Sequence, residues 1–380
     1  MQAEVRMLTS CDFLELAVPG VRGLSPYQPG KPETELRREL GLQRVIKLAS
    51  NENPLGPSPR ALAAATDALR GCHRYPDGNA FELKRTLATS LGCQPEQLTV
   101  GNGSNDVLEL VARAFAGPGR SVVYSRHAFA VYPLVTQAVG AQGIEAEPNG
   151  PEHFQPYGHD LAAMARLICP DTRVVYLANP NNPTGTWLGS SELEAFLREL
   201  PAHVIAVVDE AYAEYVTQSH YPDASRWLDA LPNLVVTRTF SKAYGLAGFR
   251  VGYAISHPEV ADLLNRVRQP FNLNLPAQAA AAAALGDHEH LEHSRALNSR
   301  ELQRLGAALS AMGLEVLPSA ANFLCVDFHQ RAMPIFDGLL QRGVIVRPVA
   351  NYGLPEHLRI TVGTAEENDQ CLYALREVLG

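Results

Sequence analysis

One lysine stands out by its surroundings. Lys242 lies in the stretch TFSKAYGLAGFR, where small and apolar residues predominate. The apolar run NLVV before it predicts a strand, so we expect Lys242 in a turn at the carboxyl end of that strand, where ligands bind in open α/β sheets. Burial lowers the pKa of a lysine and makes its amine a nucleophile or general base, as Schiff-base chemistry requires. Because an arbitrary lysine is usually a surface residue, the interpretation depends on its neighbours.

Those neighbours favour a bound phosphate group. Thr239, Ser241 and Arg250 offer two hydroxyls and a guanidinium close to the lysine, a set that suits a phosphate. Upstream, TVGNGSNDVLEL passes from a predicted strand into a helix whose first residues, Ser104 and Asn105, can present backbone N–H groups to the same phosphate. The glycine-rich turn alone is weak evidence, since such turns often only connect elements.

Carboxylate and amide side chains end two further predicted strands. Asp209 ends VIAVVD and is either a helix cap or a partner for a protonated ring nitrogen. Tyr212, three residues on, can reach the same ligand, and Asn182 in NPNNPTG can donate to a phenolate oxygen. Together with Lys242 and the phosphate-binding residues, these side chains describe a pyridoxal phosphate pocket.

Longer stretches carry a resemblance to a known family. They are PYQPGK, LASNENPLGPSP, RYPDGNAFELK, NPNNPTG, VVDEAY, TFSKAYGLAGFRVGY, ANFL and LRITVG. On these stretches the chain resembles the aspartate-aminotransferase superfamily of pyridoxal-phosphate enzymes and, within it, the histidinol-phosphate branch. The resemblance runs over nearly the whole chain and implies fold type I of these enzymes.

The resemblance also implies roles for individual residues toward the cofactor. Lys242 would bond to the cofactor aldehyde and later shuttle the proton, and Asp209 would pair with the pyridinium nitrogen. Asn182 and Tyr212 would hold the ring oxygen, and Phe129 in RHAFAVYP would stack on the ring. The cofactor phosphate would be bound by Ser104, Asn105, Thr239, Ser241, Arg250 and, from the partner subunit of a homodimer, Tyr75 of RYPDG.

Substrate contacts are implied in the same way. Arg359 in HLRITVG matches the arginine that binds a substrate carboxylate, a task suited to a planar bidentate donor. Arg347 and Tyr27 match positions that help hold the substrate's far end, and Asn322 is a further candidate for a substrate contact. For each of these four residues, a structural ion pair or a core hydrogen bond is the alternative.

The implied reaction is a transamination between L-glutamate and imidazole-acetol phosphate that gives 2-oxoglutarate and L-histidinol phosphate, a step of histidine biosynthesis. An aromatic amino acid aminotransferase acting on phenylalanine or tyrosine is the main alternative, and a threonine-phosphate decarboxylase is another. A non-catalytic regulator on the same scaffold would need an added DNA-binding region, and the sequence contains no basic region for one.

The elements that must position these residues form an α/β pattern. Apolar runs at SVVYS, RVVYLA, HVIAVVD, NLVVTRT and RVGYAIS predict strands buried on both faces, as in a mostly parallel sheet flanked by helices. Residues 46–270 are predicted to form this large cofactor-binding domain. Residues 1–45 and 271–380, which hold an arm, a long alanine-rich helical segment and three strand-like runs, are predicted to form a smaller α+β domain.

Composition excludes several classes of partner. The net charge of −8 with both signs interspersed gives no basic surface for nucleic acid or for a membrane. Six scattered cysteines and the absence of a run of about 18 apolar residues favour a cytoplasmic protein. The run DHEHLEH has Glu292 where a His-Glu-x-x-His zinc site needs histidine, so we predict no metal site.

Overall fold

The structure, a computed structural model, describes residues 13–26 and 30–380. Within them the strands are β1 (Ile46–Lys47), β2 (Leu98–Gly101), β3 (Ser121–Ser125), β4 (Gln142–Ala146), β5 (Thr172–Ala178), β6 (Ile205–Asp209), β7 (Leu234–Thr239), β8 (Gly252–Ser256), β9 (Glu315–Val316), β10 (Phe323–Asp327), β11 (Val344–Ile345), β12 (Arg347–Pro348) and β13 (His357–Thr361).

The helices connect and cover these strands. They are α1 (Phe13–Leu16), α2 (Pro19–Arg22), α3 (Glu33–Leu40), α4 (Pro59–Ala68), α5 (Phe81–Leu91), α6 (Ser104–Phe115), α7 (Val131–Ala138), α8 (Leu161–Leu167), α9 (Ser190–Glu199), α10 (Pro258–Val267), α11 (Leu275–Leu285), α12 (His288–Ala311), α13 (Met333–Gln341) and α14 (Ala365–Leu379). No helix in the described residues is both long enough and apolar enough to cross a membrane.

A seven-stranded sheet forms the centre of the large domain. Its strand order is β2-β8-β7-β6-β5-β3-β4. Strands β4, β3, β5, β6 and β7 pair in parallel, whereas β8 pairs antiparallel with both β7 and β2. The run RVGYAIS was predicted as a buried strand, but its sequence carried no signal for its direction. The sheet is therefore mostly parallel, as predicted.

Both faces of this sheet are covered, which explains the uninterrupted apolar runs. Val175 and Leu177 of β5 point into a core cluster shared with α4, α5, α9 and α11. Val174 and Tyr176 of the same strand point into the opposite cluster, shared with α6, α7 and α10. Edge strand β4 has mostly exposed or half-buried residues, and for that reason its sequence shows no apolar run.

A four-stranded antiparallel sheet, β12-β13-β10-β9, forms the centre of the smaller unit, beside a parallel pair of β1 and β11. Leu324 and Val326 of β10 and Leu358 and Ile360 of β13 pack in one core with α12, α13 and α14. The other face of this sheet is turned toward the large domain.

Some residues near the predicted domain limits pack in the core of the other domain. The alanine-rich segment is two helices, α11 and α12, because Asp287 caps a new helix directly after α11 ends. Helix α11 packs in the large-domain core, although it follows the predicted limit at residue 270. Ile46 and Leu48 pack in the small-domain core, although they follow the predicted limit at residue 45. We propose that the first limit lies just after β1 and that the second lies after α11, which ends 15 residues beyond residue 270.

Candidate active site

A cavity of about 190 Å³ opens where β5, β6 and β7 end, between the large sheet and the smaller one. Ala178, Asp209 and Thr239, the last residues of these three strands, all line it. Twelve of the residues predicted from the sequence line this cavity: Ser104, Asn105, Phe129, Asn182, Asp209, Tyr212, Thr239, Ser241, Lys242, Arg250, Arg347 and Arg359.

Lys242 lies in the connection between β7 and β8. Its Nζ donates a hydrogen bond to the carbonyl oxygen of Ser50 at 3.1 Å and lies 5.7 Å from the centre of the Tyr212 ring. Burial, reinforced by the positive charge of Arg359, lowers the pKa of Lys242 to about 8. The amine is therefore far more available in its neutral form near neutral pH than that of an ordinary lysine.

Asp209 ends β6 with its carboxylate buried and hydrogen-bonded. One oxygen accepts from the hydroxyl of Tyr132 at 2.9 Å and the other from that of Thr237 at 3.0 Å. Burial raises the pKa of Asp209, while these two hydrogen bonds oppose that rise. A buried carboxylate held in this way favours a cationic partner in the cavity.

Tyr212 is held by Asn51, which is in turn fixed from the smaller sheet. Asn51 donates from Nδ2 to the Tyr212 hydroxyl at 2.8 Å, and burial raises the pKa of Tyr212. Asn51 has a left-handed backbone (φ 56°) and is itself fixed by Thr361, whose hydroxyl accepts from the Asn51 N–H and donates to its Oδ1, both at 3.0 Å. The Tyr212 hydroxyl is thus oriented by a chain of buried hydrogen bonds.

The first turn of α6 faces the loop that carries Lys242. Gly103 precedes this helix with φ 84°, and Ser104 begins it. A Cβ on Gly252 would lie 2.2 Å from the Ser104 nitrogen, so only glycine lets β8 approach the helix start this closely. Arg250 closes the group, with Nη1 3.4 Å from the Ser241 hydroxyl. Backbone N–H groups, hydroxyls and a guanidinium here form an anion-binding site.

Two arginines of the smaller sheet complete the cavity. Arg359 of β13 is buried, and its guanidinium donates to Asn182 Oδ1 at 2.5 Å and to the Ala49 carbonyl oxygen at 2.7 Å. Because Asn182 Oδ1 accepts from Arg359, the amide nitrogen of Asn182 is left to donate to a ligand. Arg347 of β12 lines the same cavity and is the cross-strand partner of Arg359.

Two predicted residues, Asn322 and Tyr75, do not line the cavity, and a third, Tyr27, cannot be placed. Asn322 is buried and donates to the carbonyl oxygens of Asn51 and Glu52 at 3.0 and 3.4 Å, so in this structure it supports Asn51 and has no contact with the cavity. Tyr75 is 81% exposed and stacks on Phe271, with ring centres 4.7 Å apart. Tyr27 lies outside the described residues.

The sequence did not predict the residues that orient the predicted cofactor-binding side chains by hydrogen bonds. Tyr132, Thr237 and Asn51 each bond to a predicted cofactor residue, but each is far from its partner in the sequence. Of these three residues, only Tyr132 gave a signal in the sequence. It lies three residues after Phe129, a spacing that places two side chains side by side if the segment is helical.

A larger hollow of about 390 Å³ lies elsewhere on the large domain, between the loop at residues 149–161 and α9. Its lining includes Trp187 and His159 but no lysine or arginine. It therefore lacks both the amine and the anion-binding groups that distinguish the smaller cavity.

The sequence profile of the family "Aminotransferase class I and II" matches residues 43–375. This chain belongs to that family. Histidinol-phosphate aminotransferase 2 of Methylococcus capsulatus is 58% identical over 364 residues, which cover 96% of this chain and 98% of that protein. Histidinol-phosphate aminotransferase 2 of Pseudomonas fluorescens is 58% identical over 372 residues, or 97% and 99% of the two chains.

Solved structures agree in fold. The crystal structure of histidinol-phosphate aminotransferase from Sinorhizobium meliloti, a complex with pyridoxal-5'-phosphate, superposes with a TM-score of 0.85 at 32% identity and covers 96% of this chain and 97% of that one. A Thermus thermophilus aspartate aminotransferase superposes with a TM-score of 0.80 at 27% identity, covering 91% and 94%. The predicted family and the predicted fold class are both confirmed.

Proposed function

We propose that this protein is a pyridoxal-phosphate-dependent aminotransferase that moves an amino group between L-glutamate and imidazole-acetol phosphate, giving L-histidinol phosphate in histidine biosynthesis. One observation carries the proposal. A lysine of lowered pKa, a buried aspartate, a helix-start anion site and two arginines meet in a single cavity. The relatives with 58% identity are histidinol-phosphate aminotransferases.

The donor set of the cavity fits the cofactor. Asp209 offers a carboxylate for the ring nitrogen, and Asn182 and Tyr212 offer donors for the ring oxygen. The close approach of Gly252 to Ser104 leaves backbone N–H groups of α6 free of side-chain obstruction, as a phosphate requires. The phosphate would be bound by Ser104, Asn105, Thr239, Ser241 and Arg250, with Phe129 against the ring face.

Bound pyridoxal phosphate supplies the electron sink that stabilises negative charge at the substrate carbon. Asp209 would keep the ring nitrogen protonated, because a buried carboxylate favours a cation beside it. Lys242 would hold the cofactor, and its amine, once free, would accept the proton from the substrate carbon and later release it. A pKa of about 8 lets this amine both accept and release a proton near neutral pH.

The two arginines bind the substrate's anionic groups. Arg359 is oriented by Asn182 and Ala49, which leaves its guanidinium fixed for a carboxylate. Arg347 lies beside it and suits a second anion, either the distal carboxylate of glutamate or the phosphate of histidinol phosphate. We also propose that Tyr27, outside the described residues, contacts this second group. Asn322 acts on the site through Asn51.

The protein acts as a homodimer in this proposal. Tyr75 stacks on Phe271, and both rings are exposed on one side of the molecule. Paired exposed aromatic rings are typical of an interface. Tyr75 would reach the phosphate of the partner subunit's cofactor from this surface. We further propose a cytoplasmic location, supported by the five described cysteines, which form no disulfide.

The test is glutamate formation from 2-oxoglutarate by the purified holoenzyme, with L-histidinol phosphate, L-phenylalanine or L-tyrosine as amino donor. We expect kcat/KM for L-histidinol phosphate to exceed that for either aromatic amino acid by about tenfold or more, because only it supplies a phosphate to the arginines. Equal or higher values for the aromatic donors would identify an aromatic aminotransferase instead. Release of carbon dioxide from threonine phosphate without an amino acceptor would identify a decarboxylase.

A further inference from the structure

Three titratable side chains form a row across the smaller sheet. Asp327, the last residue of β10, is directly opposite Glu315 of β9 on one side and His357 of β13 on the other. Directly opposite residues of antiparallel strands project from the same face. The row therefore lies on the face that carries Arg359, two residues along β13 from His357.

A fourth side chain joins the row just after β10. The Nδ1 atom of His329 lies 3.9 Å from Asp327 Oδ2, and the backbone N–H of His329 donates to Asp327 Oδ1 at 2.7 Å. Ligand atoms of Glu315, Asp327 and His329 all lie within 4.8 Å of one another. Asp327 and His329 are two residues apart, but residues 315 and 357 are distant from them in the chain, so no short sequence motif joins all four.

His357 is the unexplained member of this group. Only 4% of the residue is exposed, and neither ring nitrogen has a hydrogen-bond partner among the described residues. Its Nε2 points toward the cluster, 3.7 Å from Asp327 Oδ2, while its ring meets the ring of Tyr157 edge-on at 5.6 Å. A buried imidazole without hydrogen bonds is unfavourable by itself, and a ligand on Nε2 would remove the part of that cost that falls on Nε2.

We propose that Glu315, Asp327, His329 and His357 form a binding site for one divalent transition-metal ion, for which Zn²⁺ is the best match. Two imidazoles and two carboxylates are a nitrogen and oxygen donor set that suits zinc better than calcium or magnesium. Tetrahedral zinc with bonds of about 2.0–2.2 Å separates its ligand atoms by roughly 3.3–3.6 Å. Asp327 Oδ2 lies 3.7 Å from His357 Nε2 and 3.9 Å from His329 Nδ1, and the ligand atoms of Glu315, Asp327 and His329 lie within 4.8 Å of one another. An ion would therefore have to draw these side chains together, with the largest movement at Glu315, His329 and His357, which come from different segments.

The proposed metal site is open to solvent on one side, and a bound ion would stabilise the smaller sheet. Glu315 and His329 are exposed and give an ion access from solvent, while His357 closes the inner side. The ligands come from β9, β10, the second residue after β10 and β13, so a bound ion would cross-link three strands. We therefore expect the ion to stabilise the smaller sheet without taking part in the reaction at Lys242.

The experiment uses the holoenzyme after dialysis against a chelator, in phosphate-free buffer, titrated with ZnCl₂ in a calorimeter. We expect one ion per subunit and a rise in Tm on binding. Substituting a residue that only orients a zinc ligand lowers zinc affinity by about 10- to 100-fold. Glu315→Gln and His329→Ala remove the ligands themselves. Each should therefore weaken zinc binding at least tenfold. Both side chains are exposed, so these variants keep the fold.

The histidine-rich start of α12 supplies the matched control. Glu292→Gln and His293→Ala remove the same residue types from an exposed helix and should leave zinc affinity and the zinc-dependent rise in Tm unchanged. His357→Gln should lose binding as well. The proposal is overturned if the unaltered protein binds no zinc at this stoichiometry. It is also overturned if Glu315→Gln and His329→Ala bind as tightly as the unaltered protein, since binding would then be elsewhere, for example at the exposed Cys72 and Cys169.

Discussion

Arg347 and Arg359 are directly opposite each other in the antiparallel pair of β12 and β13, and both line the cavity. Like charges at directly opposite positions destabilise a sheet. Here the two positive side chains converge on one space, which is the arrangement expected where a substrate brings two negative groups. Under the proposed function, a substrate with two negative groups would relieve this repulsion on binding.

Arg359→Lys should lower kcat/KM by about 100-fold, because a lysine cannot bond to Asn182, Ala49 and a carboxylate in a fixed plane. Steady-state kinetics with L-histidinol phosphate measure the change. Arg226→Lys, at an exposed position paired with Asp223, is the control and should have normal kinetics. A loss of less than about fivefold in Arg359→Lys would remove Arg359 from substrate binding.

Tyr132→Phe should lower kcat by about tenfold with little change in KM. The Tyr132 hydroxyl opposes the rise in the Asp209 pKa, and a hydrogen bond to a charged group contributes about 1.5 kcal/mol or more. Tyr176→Phe is the matched control, because the Tyr176 ring stacks on Tyr132 while its hydroxyl donates to the Leu108 carbonyl oxygen. Equal losses of kcat in the two variants would show a packing effect and no role for the bond to Asp209.

Lys242→Met should stabilise the cofactor-free protein at pH 7. The Lys242 pKa is lowered from 10.5 to about 8 in the folded protein, so between these values the unfolded chain binds more protons and wild-type stability rises with pH. Below pH 8 the folded state bears the full cost of the buried charge, up to about 3 kcal/mol. Urea unfolding of both proteins from pH 7 to 10.5 should show the difference shrinking above pH 8. A difference that does not change with pH would contradict the lowered pKa.

Gly252→Ala should weaken cofactor affinity at least tenfold and destabilise the protein by about 1–3 kcal/mol. Its Cβ would lie 2.2 Å from the Ser104 nitrogen and displace the start of α6 from the anion site. Gly248→Ala lies in the same loop region with no atom within 4 Å of its Cβ and should bind the cofactor normally. Cofactor titration followed by absorbance measures both affinities, and equal affinities would argue against this helix start as the phosphate site.

Tyr75→Ala and Lys242→Ala should each have little or no activity alone and regain activity when mixed as hybrid dimers. If Tyr75 serves the partner's site, one site of each hybrid combines an intact Lys242 with an intact Tyr75. Refolding the two variants together, followed by the transamination assay, measures the recovery. No recovery despite hybrid formation would place Tyr75 outside the partner's site.

The sequence was most informative where residues end strands. Asp209 and Thr239 could be placed together in advance, because the carboxyl ends of parallel strands meet at one edge of a sheet. Asn51 and Tyr132 could not, since their hydrogen bonds to Tyr212 and Asp209 depend on how distant elements dock. The same limit applies to His357, whose neighbours are brought together by strand register.

The sequence pattern also could not predict the direction of strand β8 or the domain on which helix α11 packs. The apolar run of β8 fits a buried strand of either direction, and only its pairing shows that it runs against β7. Helix α11 is rich in alanine on all sides, so its composition did not indicate whether it packs on the large domain or on the small one. Tertiary contacts decide such questions, and local composition does not.

The reversal of β8 has a consequence for the lysine. Because β7 and β8 are antiparallel neighbours, residues 240–251 form the connection of a hairpin, closed at its base by the bond from the Phe240 N–H to the Val251 carbonyl oxygen. The segment cannot move away from the sheet without separating the neighbouring strands β7 and β8. Amide hydrogens at the base of this hairpin should therefore exchange with solvent only when the whole domain unfolds, and the amine keeps its place as long as the sheet exists.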